Sequence, residues 1–265
     1  MGSRAMAGNA REPARTVTNK VVAVLTAFGR TDGPLSLAEV RRATGLPAAT
    51  ALRLLRELTA GGLLVREDSG SYRASTLLWE IGSRTARRGD IRDAALPYLE
   101  DLFIATGQNV QLAVLSGTHA LVVEKIHGRD SVAMASLVAS RLPLHATGVG
   151  KVLLAHSGPE LFERVVAAGL ERFTPNTITD PARLDRALHR ARETGVVHQL
   201  EERELGLISV AAPVWGPNQR VVAALSVSTR ASSTVLRRVT PAVIAAARGV
   251  SRALSAPAGR PERDR

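Results

Sequence analysis

The sequence predicts an α+β protein: an N-terminal winged helix-turn-helix, a connecting helix, and a larger domain in which helices flank an antiparallel sheet. Two observations carry this prediction. Between Ser36 and Ala74 a pattern of two short helices joined by a glycine turn runs directly into a hairpin pattern. From Gln108 onward the pattern changes to strand-length segments. With 265 residues, the chain is long enough for both parts.

The helix pair is predicted from capping and apolar spacing. Ser36 and Glu39 have capping-box spacing, and Thr44-Gly45 ends the first helix. Pro47 suits the first turn of the second helix, where its missing N–H needs no partner. Apolar residues at roughly one-turn spacing predict the core stripe of the second helix, and these are Leu52, Leu55 and Leu58. Gly61-Gly62 ends that helix.

The segment after the helix pair predicts a wing and, with the helices, a DNA-binding surface. LLVRE and SYRA flank Asp68-Ser69-Gly70 as two short strands. Small residues at the start of the second helix would let its backbone approach base edges in a major groove about 12 Å wide. The residues predicted for this surface are Ser36, Pro47, Ala48, Ala49, Thr50, Arg53, Arg56 and Arg73. The alternative is a solvated helix face in an all-helical protein.

Charge and composition narrow the class of protein. The formal net charge is +11, and residues 1–75 hold 11 Lys or Arg against 6 Asp or Glu. The net positive charge per residue is therefore higher in residues 1–75 than in the rest of the chain, which favours attraction of a polyanion to this segment. Only three of the 35 basic residues are lysine. Because arginine is the common basic residue throughout this chain, an arginine by itself does not indicate a phosphate contact. The absence of cysteine excludes disulfides and thiolate metal sites.

The expected organisation has five parts. Residues 1–15 are expected to be disordered, 16–75 to form the winged helix-turn-helix, 76–89 a linker helix, 90–255 the second domain, and 256–265 a disordered tail. No apolar signal core or membrane-length apolar run is present, so we expect a cytoplasmic protein.

Helices are predicted over Val17–Phe28 and residues 77–88, 90–106, 146–155, 180–195 and 235–254. Asp90 is the expected cap of its helix, and Pro97 predicts a kink there or a later start. Strands are predicted over 109–117, 119–128, 131–138, 196–200, 208–214 and 221–229.

The chain lacks the residue spacings of three common enzyme motifs. A phosphate loop ending at Gly150-Lys151 would need glycine and Ser or Thr where this chain has His145 and Val152. The six histidines show no HExxH spacing, and Ser116-Gly117 lacks a GxSxG elbow. We therefore expect no cofactor, metal or catalytic residue. The alternative is a small-molecule enzyme or sensor that carries a DNA-binding-like helical appendage.

Three ordered motifs resemble the IclR family of bacterial transcriptional regulators: SLAEVRRATGLPAATALRLLRELTAGGLL, LPLHATGVGKVLLA, and ELGLISVAAPVWGPNQRVVAALSVS. The resemblance extends from about residue 17 to residue 254. It implies a DNA-binding regulator, expected to be a repressor, that binds a pseudo-palindromic double-stranded operator as a homodimer or dimer of dimers. It also implies a GAF-like effector-binding domain.

The resemblance places the effector pocket at Met134, Leu142, Gly148, Val149, Gln199, Leu207, Ser209, Ser226 and Ser228. The residues themselves favour a carboxylic acid, because the N–H groups of residues 148–150 at a helix start attract an anion. Ser226 and Ser228 alternate onto one strand face and can add hydroxyl bonds. Where many relatives carry an acidic pair, this chain has Gln199-Leu200. Gln199 cannot ionise, so we expect an effector less polar than a short keto acid.

Overall fold

A computed structural model describes residues 16–29, 31, 33–83, 86–128 and 136–256, and it divides into two compact units between residues 85 and 86. Residues 1–15 and 257–265, which cover the N-terminal segment and nearly all of the tail expected to be disordered, lie outside this description.

The N-terminal unit is a three-helix cluster with a short hairpin. Its elements are α1 (Val17–Phe28), α2 (Leu37–Thr44), α3 (Ala48–Ala60), β1 (Leu64–Arg66), β2 (Tyr72–Ala74) and α4 (Thr76–Ser83). Ser36 and Glu39 form the predicted capping box, and Gly45, with a φ of 69°, ends α2 in a left-handed conformation that glycine adopts without strain. β1 pairs antiparallel with β2, and Leu35 bridges to Tyr72 beside them. The predicted winged helix-turn-helix is confirmed.

The core stripe of α3 differs from the predicted one. Ala51, Leu54, Leu55 and Leu58 are its buried residues, at spacings of three, one and three residues, as one helix face requires. Leu52 is only half-buried, so placing it in the stripe was wrong. Residues spaced always by three do not stay on one face of a helix with 3.6 residues per turn. Leu54 therefore lies on the buried face in place of Leu52.

The C-terminal unit is built on one six-stranded sheet. Its helices are α5 (Ala86–Thr106), α6 (Gly148–Ala155), α7 (Pro159–Ala167), α8 (Pro181–Thr194) and α9 (Ser233–Ser255). Its strands are β3 (Asn109–Ser116), β4 (His119–Ile126), β5 (Arg141–Pro143), β6 (Val197–Leu200), β7 (Leu207–Trp215) and β8 (Val221–Arg230). The order is β5-β4-β3-β8-β7-β6, with every pair antiparallel.

The central strands are buried on both faces because helices cover each face. One core cluster packs α5 and α9 against the sheet through residues such as Leu99, Val210 and Val243. A second cluster packs α6 and α8 against the other face through residues such as Leu153 and Ala211. Successive residues of β7 therefore enter different cores, as the period of two in a strand demands. The predicted α+β class is confirmed.

Two predicted elements differ from the observed ones, and one observed helix was not predicted. Asp90 does not cap a helix, because α5 already begins at Ala86 and runs through Pro97 to Thr106. Of the strand predicted over 131–138, residues 131–135 lie outside the described residues, and 136–138 are not in a strand. β5 instead pairs with β4. Helix α7 was not predicted, although Pro159 at its first turn is a typical start signal.

Candidate functional sites

The first candidate site is the exposed N-terminal end of α3. Pro47, Ala48 and Ala49 are exposed there, and Thr50 is half-buried. Pro47 caps α3 without a side-chain hydrogen bond, so no side chain covers the first N–H groups of this helix. A helix end with small exposed side chains can approach a flat or grooved polyanion closely.

The arginines predicted for this surface are exposed, and two of them are paired. Arg53 Nη1 lies 2.9 Å from Glu57 Oε1, with both side chains more than half exposed. Arg73, on β2, lies 3.4 Å from Glu67 Oε1. Arg56 is exposed on the same helix as Arg53. Because surface pairs of this kind contribute little, Arg53 and Arg73 can exchange their carboxylate partners for phosphates.

Ser36 has a different local role from the other predicted residues. Its Oγ donates to Glu39 Oε2 at 2.7 Å and accepts the backbone N–H of Glu39 at 3.3 Å. The Ser36 hydroxyl, followed by the Ser36 backbone N–H, lowers the pKa of Glu39 by donating to its carboxylate. Ser36 thus stabilises the start of α2, and any DNA contact must share that hydroxyl.

Further exposed basic residues lie in this unit, namely Arg41, Arg42 and Arg66. The rule that selected Arg53 and Arg56, that a charged residue off the apolar stripe faces solvent, selects Arg41 and Arg42 as well. Arg66 lies before the hairpin turn with its guanidinium 6.0 Å from the centroid of Tyr72.

The second candidate site is a cavity of about 430 Å³ in the C-terminal unit. Its lining combines one end of α6 with strands β3, β5, β6, β7 and β8 and the loop between β6 and β7. The lining residues are Gln111, Ser136, Ser140, Arg141, Leu142, Thr147, Gly148, Val149, Gln199, Arg203, Glu204, Leu207, Ser209, Ser226 and Ser228. A cavity of this size is typical of small-molecule sites.

The strand register explains why polar residues meet at this cavity. Gln199 lies opposite Ser209, Ser209 opposite Ser228, and Ser228 opposite Asn109, which makes a polar row across four strands. In the row two residues further along each strand, Ser226 lies opposite Gln111. All six are buried. Because buried polar groups are costly without hydrogen bonds, two such rows in a sheet interior indicate a binding surface.

The start of α6 forms another wall of the cavity. Thr147 caps this helix, accepting the N–H of Gly150 at 3.1 Å and donating to the Pro143 carbonyl at 2.8 Å. The prediction that Gly150 offers its N–H to an anion was therefore wrong, since the cap already uses it. Gly148 packs closely against β7, because a Cβ placed there would lie 2.8 Å from Ser209 Oγ.

Behind this wall, Lys151 forms a buried ion pair with Glu202. Only 4% and 8% of the two side chains are exposed. Burial lowers the pKa of Lys151, although the Glu202 carboxylate opposes this effect. The lysine that a phosphate loop would direct to its ligand is thus committed to a carboxylate within the fold.

The same pair fastens the loop between β6 and β7 to α6. The loop is also held from outside, because Thr174 Oγ1 donates to the Glu201 carbonyl and Thr177 Oγ1 to the Glu202 carbonyl, each at 2.7 Å. The Arg203 guanidinium stacks 4.1 Å above the Phe173 ring centroid. This loop carries Arg203 and Glu204 to the cavity, so its anchoring fixes one side of the site.

The structure brings together eight of the nine residues predicted for the pocket, since Leu142, Gly148, Val149, Gln199, Leu207, Ser209, Ser226 and Ser228 all line this cavity. The ninth, Met134, lies outside the described residues.

Seven further lining residues were not predicted from the sequence: Gln111, Ser136, Ser140, Arg141, Thr147, Arg203 and Glu204. One signal was available: Asn109 and Gln111 are polar residues two positions apart in an otherwise apolar strand. Ser136 could be found only in three dimensions, where its Oγ accepts from Gln111 Nε2 at 2.6 Å.

Within the described part of the chain, no group of three or more His, Asp or Glu side chains is placed to hold a metal ion. No described helix has the length and apolar character needed to cross a membrane.

A winged helix-turn-helix followed in the chain by a sheet domain with a small-molecule cavity defines the class of DNA-binding transcriptional regulators. Comparisons with known proteins place the chain within that class. Residues 17–68 match the IclR helix-turn-helix domain, and residues 83–256 match the C-terminal domain of IclR bacterial transcriptional regulators. The chain belongs to the IclR family of transcriptional regulators, which are not enzymes, so the enzyme alternative is rejected.

Individual relatives agree over nearly the whole chain. The HTH-type transcriptional regulator XynR of Escherichia coli (strain K12) is 34% identical over 244 residues, covering 90% of this chain and 97% of XynR. The HTH-type transcriptional repressor AllR of Salmonella typhi is 33% identical over 213 residues, covering 80% of this chain and 78% of AllR. A crystal structure of an IclR homolog complexed with 4-hydroxybenzoate, from Microbacterium hydrocarbonoxydans, is 32% identical with a TM-score of 0.82, covering 89% of this chain and 97% of that one.

Proposed function

We propose that this regulator is a repressor whose operator binding is modulated by a small organic acid bound in the cavity of the C-terminal unit. The observation that carries the proposal is the cavity of about 430 Å³, lined by five of the six buried polar residues in the two strand rows and by the start of α6. A structural relative binds 4-hydroxybenzoate, a small organic acid, and a sequence relative is named a repressor.

On the DNA side, α3 enters the major groove with its N-terminal end foremost. Pro47, Ala48 and Ala49 allow close approach, Thr50 and Arg53 read or position bases, and Arg56 adds a phosphate contact. On the wing, Arg73 contacts the phosphate backbone of the DNA beside the groove that α3 enters. Ser36 supports α2 and adds a phosphate contact through its hydroxyl. The exposure of all these residues except the half-buried Ser36 and Thr50 supports this assignment.

On the ligand side, the acid's carboxylate binds the N–H groups of Gly148 and Val149 together with the serines of β7 and β8. Gly148 and Val149 are the first residues of α6, so their N–H groups have no partner within the helix. Leu142 and Leu207 contact the apolar part of the ligand, with Met134 assigned to the same role from the sequence. Gln199 and Gln111 each bring an amide side chain to the cavity.

We further propose that the protein acts in the cytoplasm as a homodimer, or a dimer of dimers, on a pseudo-palindromic operator. One short helix reads only a few base pairs, and two-fold related helices would read half-sites about one helical turn apart, or a multiple of it. Exposed Leu77, Trp79 and Ile81 on the short helix α4 support a second copy as the partner of this surface.

The test is a gel shift with DNA upstream of the protein's own gene, with and without small carboxylic acids. Arg53→Ala should weaken operator binding by about 1–3 kcal/mol if Arg53 contacts a guanine edge. Unchanged affinity in a folded variant would remove Arg53 from the interface. Footprinting that found one asymmetric half-site bound by a monomer would contradict the dimer.

The ligand side has its own variants. Ser226→Ala and Gly148→Val should weaken the acid's effect on operator binding and leave DNA affinity without the acid unchanged. The valine obstructs the cavity, because even a Cβ at position 148 would lie 2.8 Å from Ser209 Oγ. If an acid that shifts operator binding kept its full affinity in Gly148→Val, the cavity would not be the effector site. The acid must also bind the DNA-competent and incompetent states unequally.

A further inference from the structure

The end of strand β4 presents neighbouring side chains to the two faces of the sheet. Lys125 lies opposite Gln111 of β3, so the two share the face that carries the cavity. Glu124 lies opposite Leu112, whose side chain packs in the core formed with α5 and α9. Successive residues of a strand point to opposite faces. One residue of β4 therefore faces the cavity side, and the residue before it faces α5.

On the cavity side, Lys125 and Gln111 bind the same residue of the lining. The Lys125 ammonium donates to the Ser136 carbonyl at 2.8 Å, and Gln111 Nε2 donates to Ser136 Oγ at 2.6 Å. Ser136 is itself buried and lines the cavity. Partial burial removes the ammonium from water and lowers the pKa of Lys125. A ligand that shifts Ser136 therefore takes the acceptor from a partly desolvated cation, which is costly unless β4 moves with it.

On the opposite face, the Glu124 carboxylate joins β4 to α5. Arg92 Nη2 donates to Glu124 Oε2 at 2.7 Å, and the Lys125 backbone N–H donates to Glu124 Oε1 at 2.9 Å. Only 12% of the Glu124 side chain is exposed, so water cannot readily replace Arg92 as its partner. The carboxylate thus ties α5 to the backbone of the residue whose side chain binds Ser136.

Arg92 lies near the end of α5 through which the chain enters the C-terminal unit. Helix α5 begins at Ala86, and only residues 84 and 85 separate it in the chain from α4 of the N-terminal unit. The start of α5 is therefore the part of the C-terminal unit that is nearest in the chain to the DNA-binding unit.

We infer that Glu124 couples the cavity to the DNA-binding unit: a ligand that displaces Ser136 shifts the end of β4, breaks the bond from Arg92 to Glu124 and releases the start of α5. The inference rests on the proposed function, because it names the contact through which the ligand regulates operator binding. Neither Glu124 nor Arg92 lines the cavity. Both therefore act on the response to the ligand and not on the groups that contact it.

The experiment measures a coupling factor, which is the ratio of the operator dissociation constants with and without saturating acid. It uses the purified full-length protein, with benzoate, 4-hydroxybenzoate and pyruvate as probes, and calorimetry without DNA gives the affinity for each acid. Glu124→Gln and Arg92→Met should each bring the coupling factor close to one from a wild-type value of about 5–150. Acid affinity should change about twofold or less in both variants.

Two further variants separate coupling from a general structural effect. Arg92→Lys should keep most of the coupling, because an ammonium can donate to the same carboxylate oxygen. The double variant Arg92→Met/Glu124→Gln should lose no more coupling than either single variant, because both changes remove the same bond. Glu193→Gln is the matched control, since it removes a carboxylate from an exposed pair with His189 in the same unit, and it should leave the coupling factor unchanged.

A coupling factor within about twofold of wild type in both Glu124→Gln and Arg92→Met would overturn the inference and leave the proposed function intact. Loss of acid affinity in these two variants would overturn it as well, because they would then act on the cavity itself. An equal loss of coupling in Glu193→Gln would show that the effect is not specific to this contact. If no probe altered operator binding by wild type, the proposed organic-acid effector would be wrong, and this inference would fail with it.

Discussion

The two units of this regulator place their functional polar groups in opposite environments. In the N-terminal unit, the predicted DNA-contacting residues lie outside a closed apolar core, and the Arg53–Glu57 pair is more than half exposed. In the C-terminal unit, the polar rows and the Lys151–Glu202 pair are buried inside the fold. Exposed charges can exchange partners at little cost, whereas buried ones hold a fixed geometry. A surface that contacts DNA phosphates suits the first arrangement, and the small-molecule site proposed above suits the second.

The largest effect is expected when the buried Lys151–Glu202 ion pair is broken. Lys151→Met should lower the free energy of unfolding of the C-terminal unit by about 3–5 kcal/mol, because it leaves the Glu202 carboxylate buried without its partner. Urea unfolding, followed by circular dichroism, measures the change. The double variant Lys151→Met/Glu202→Leu should recover most of the loss, since no charge then remains buried. A loss below about 1 kcal/mol for the single variant would mean that the pair is not buried in solution.

A second variant tests how tightly the start of α6 is packed. Gly150→Ala should destabilise the C-terminal unit by about 1–3 kcal/mol through overpacking. Its Cβ would lie 2.6 Å from the Pro143 carbonyl oxygen and 2.7 Å from Leu144 Cα, both backbone atoms that cannot move aside. Gly249→Ala provides a comparison in which the three atoms nearest to the new Cβ all belong to the Tyr98 ring, the closest at 2.4 Å, so a side chain rather than the backbone must shift. Thermal melting compares the two, and equal melting of Gly150→Ala and wild type would contradict the packing described here.

The sequence predicted the N-terminal unit well for a physical reason. The exposed face of a helix lies opposite its buried apolar stripe. Locating the stripe in the sequence therefore locates the exposed face, even though Leu52 was wrongly placed in the stripe. The buried cavity has no such complement. Gln111 and Gln199 lie 88 residues apart in the chain and share the cavity only because β3 and β6 both belong to the sheet that also contains β7 and β8. The resemblance of ordered motifs identified eight lining residues, while pairings such as Gln199 with Ser209 and Lys151 with Glu202 required the strand register and the folded loop.

A smaller effect is expected when the exposed Arg53–Glu57 pair is broken. Glu57→Ala should change the stability of the N-terminal unit by only about 0.3–0.5 kcal/mol, since an exposed i,i+4 pair is screened by water. It should also strengthen operator binding by about two- to threefold, because Arg53 is released and a negative charge near the phosphates is removed. A gel shift at two salt concentrations measures this gain, which should shrink at higher salt. Weaker binding in Glu57→Ala would show that Glu57 positions Arg53 for DNA rather than competing with it.

The smallest expected effect concerns pH and lies at an exposed edge of the C-terminal unit. His198 Nε2 lies 3.0 Å from Thr240 Oγ1, which itself donates to the Leu236 carbonyl, so Nε2 carries the proton and Nδ1 is the site that titrates. Partial burial lowers the pKa of His198. The unfolded chain therefore binds this proton at higher pH than the folded chain, and stability falls as the pH drops below about 6.5. His198→Asn should remove this contribution, so its melting temperature should fall slightly less than that of wild type between about pH 8 and about pH 5. A steeper acid loss in the variant would reverse the sign and show that protonated His198 stabilises the fold.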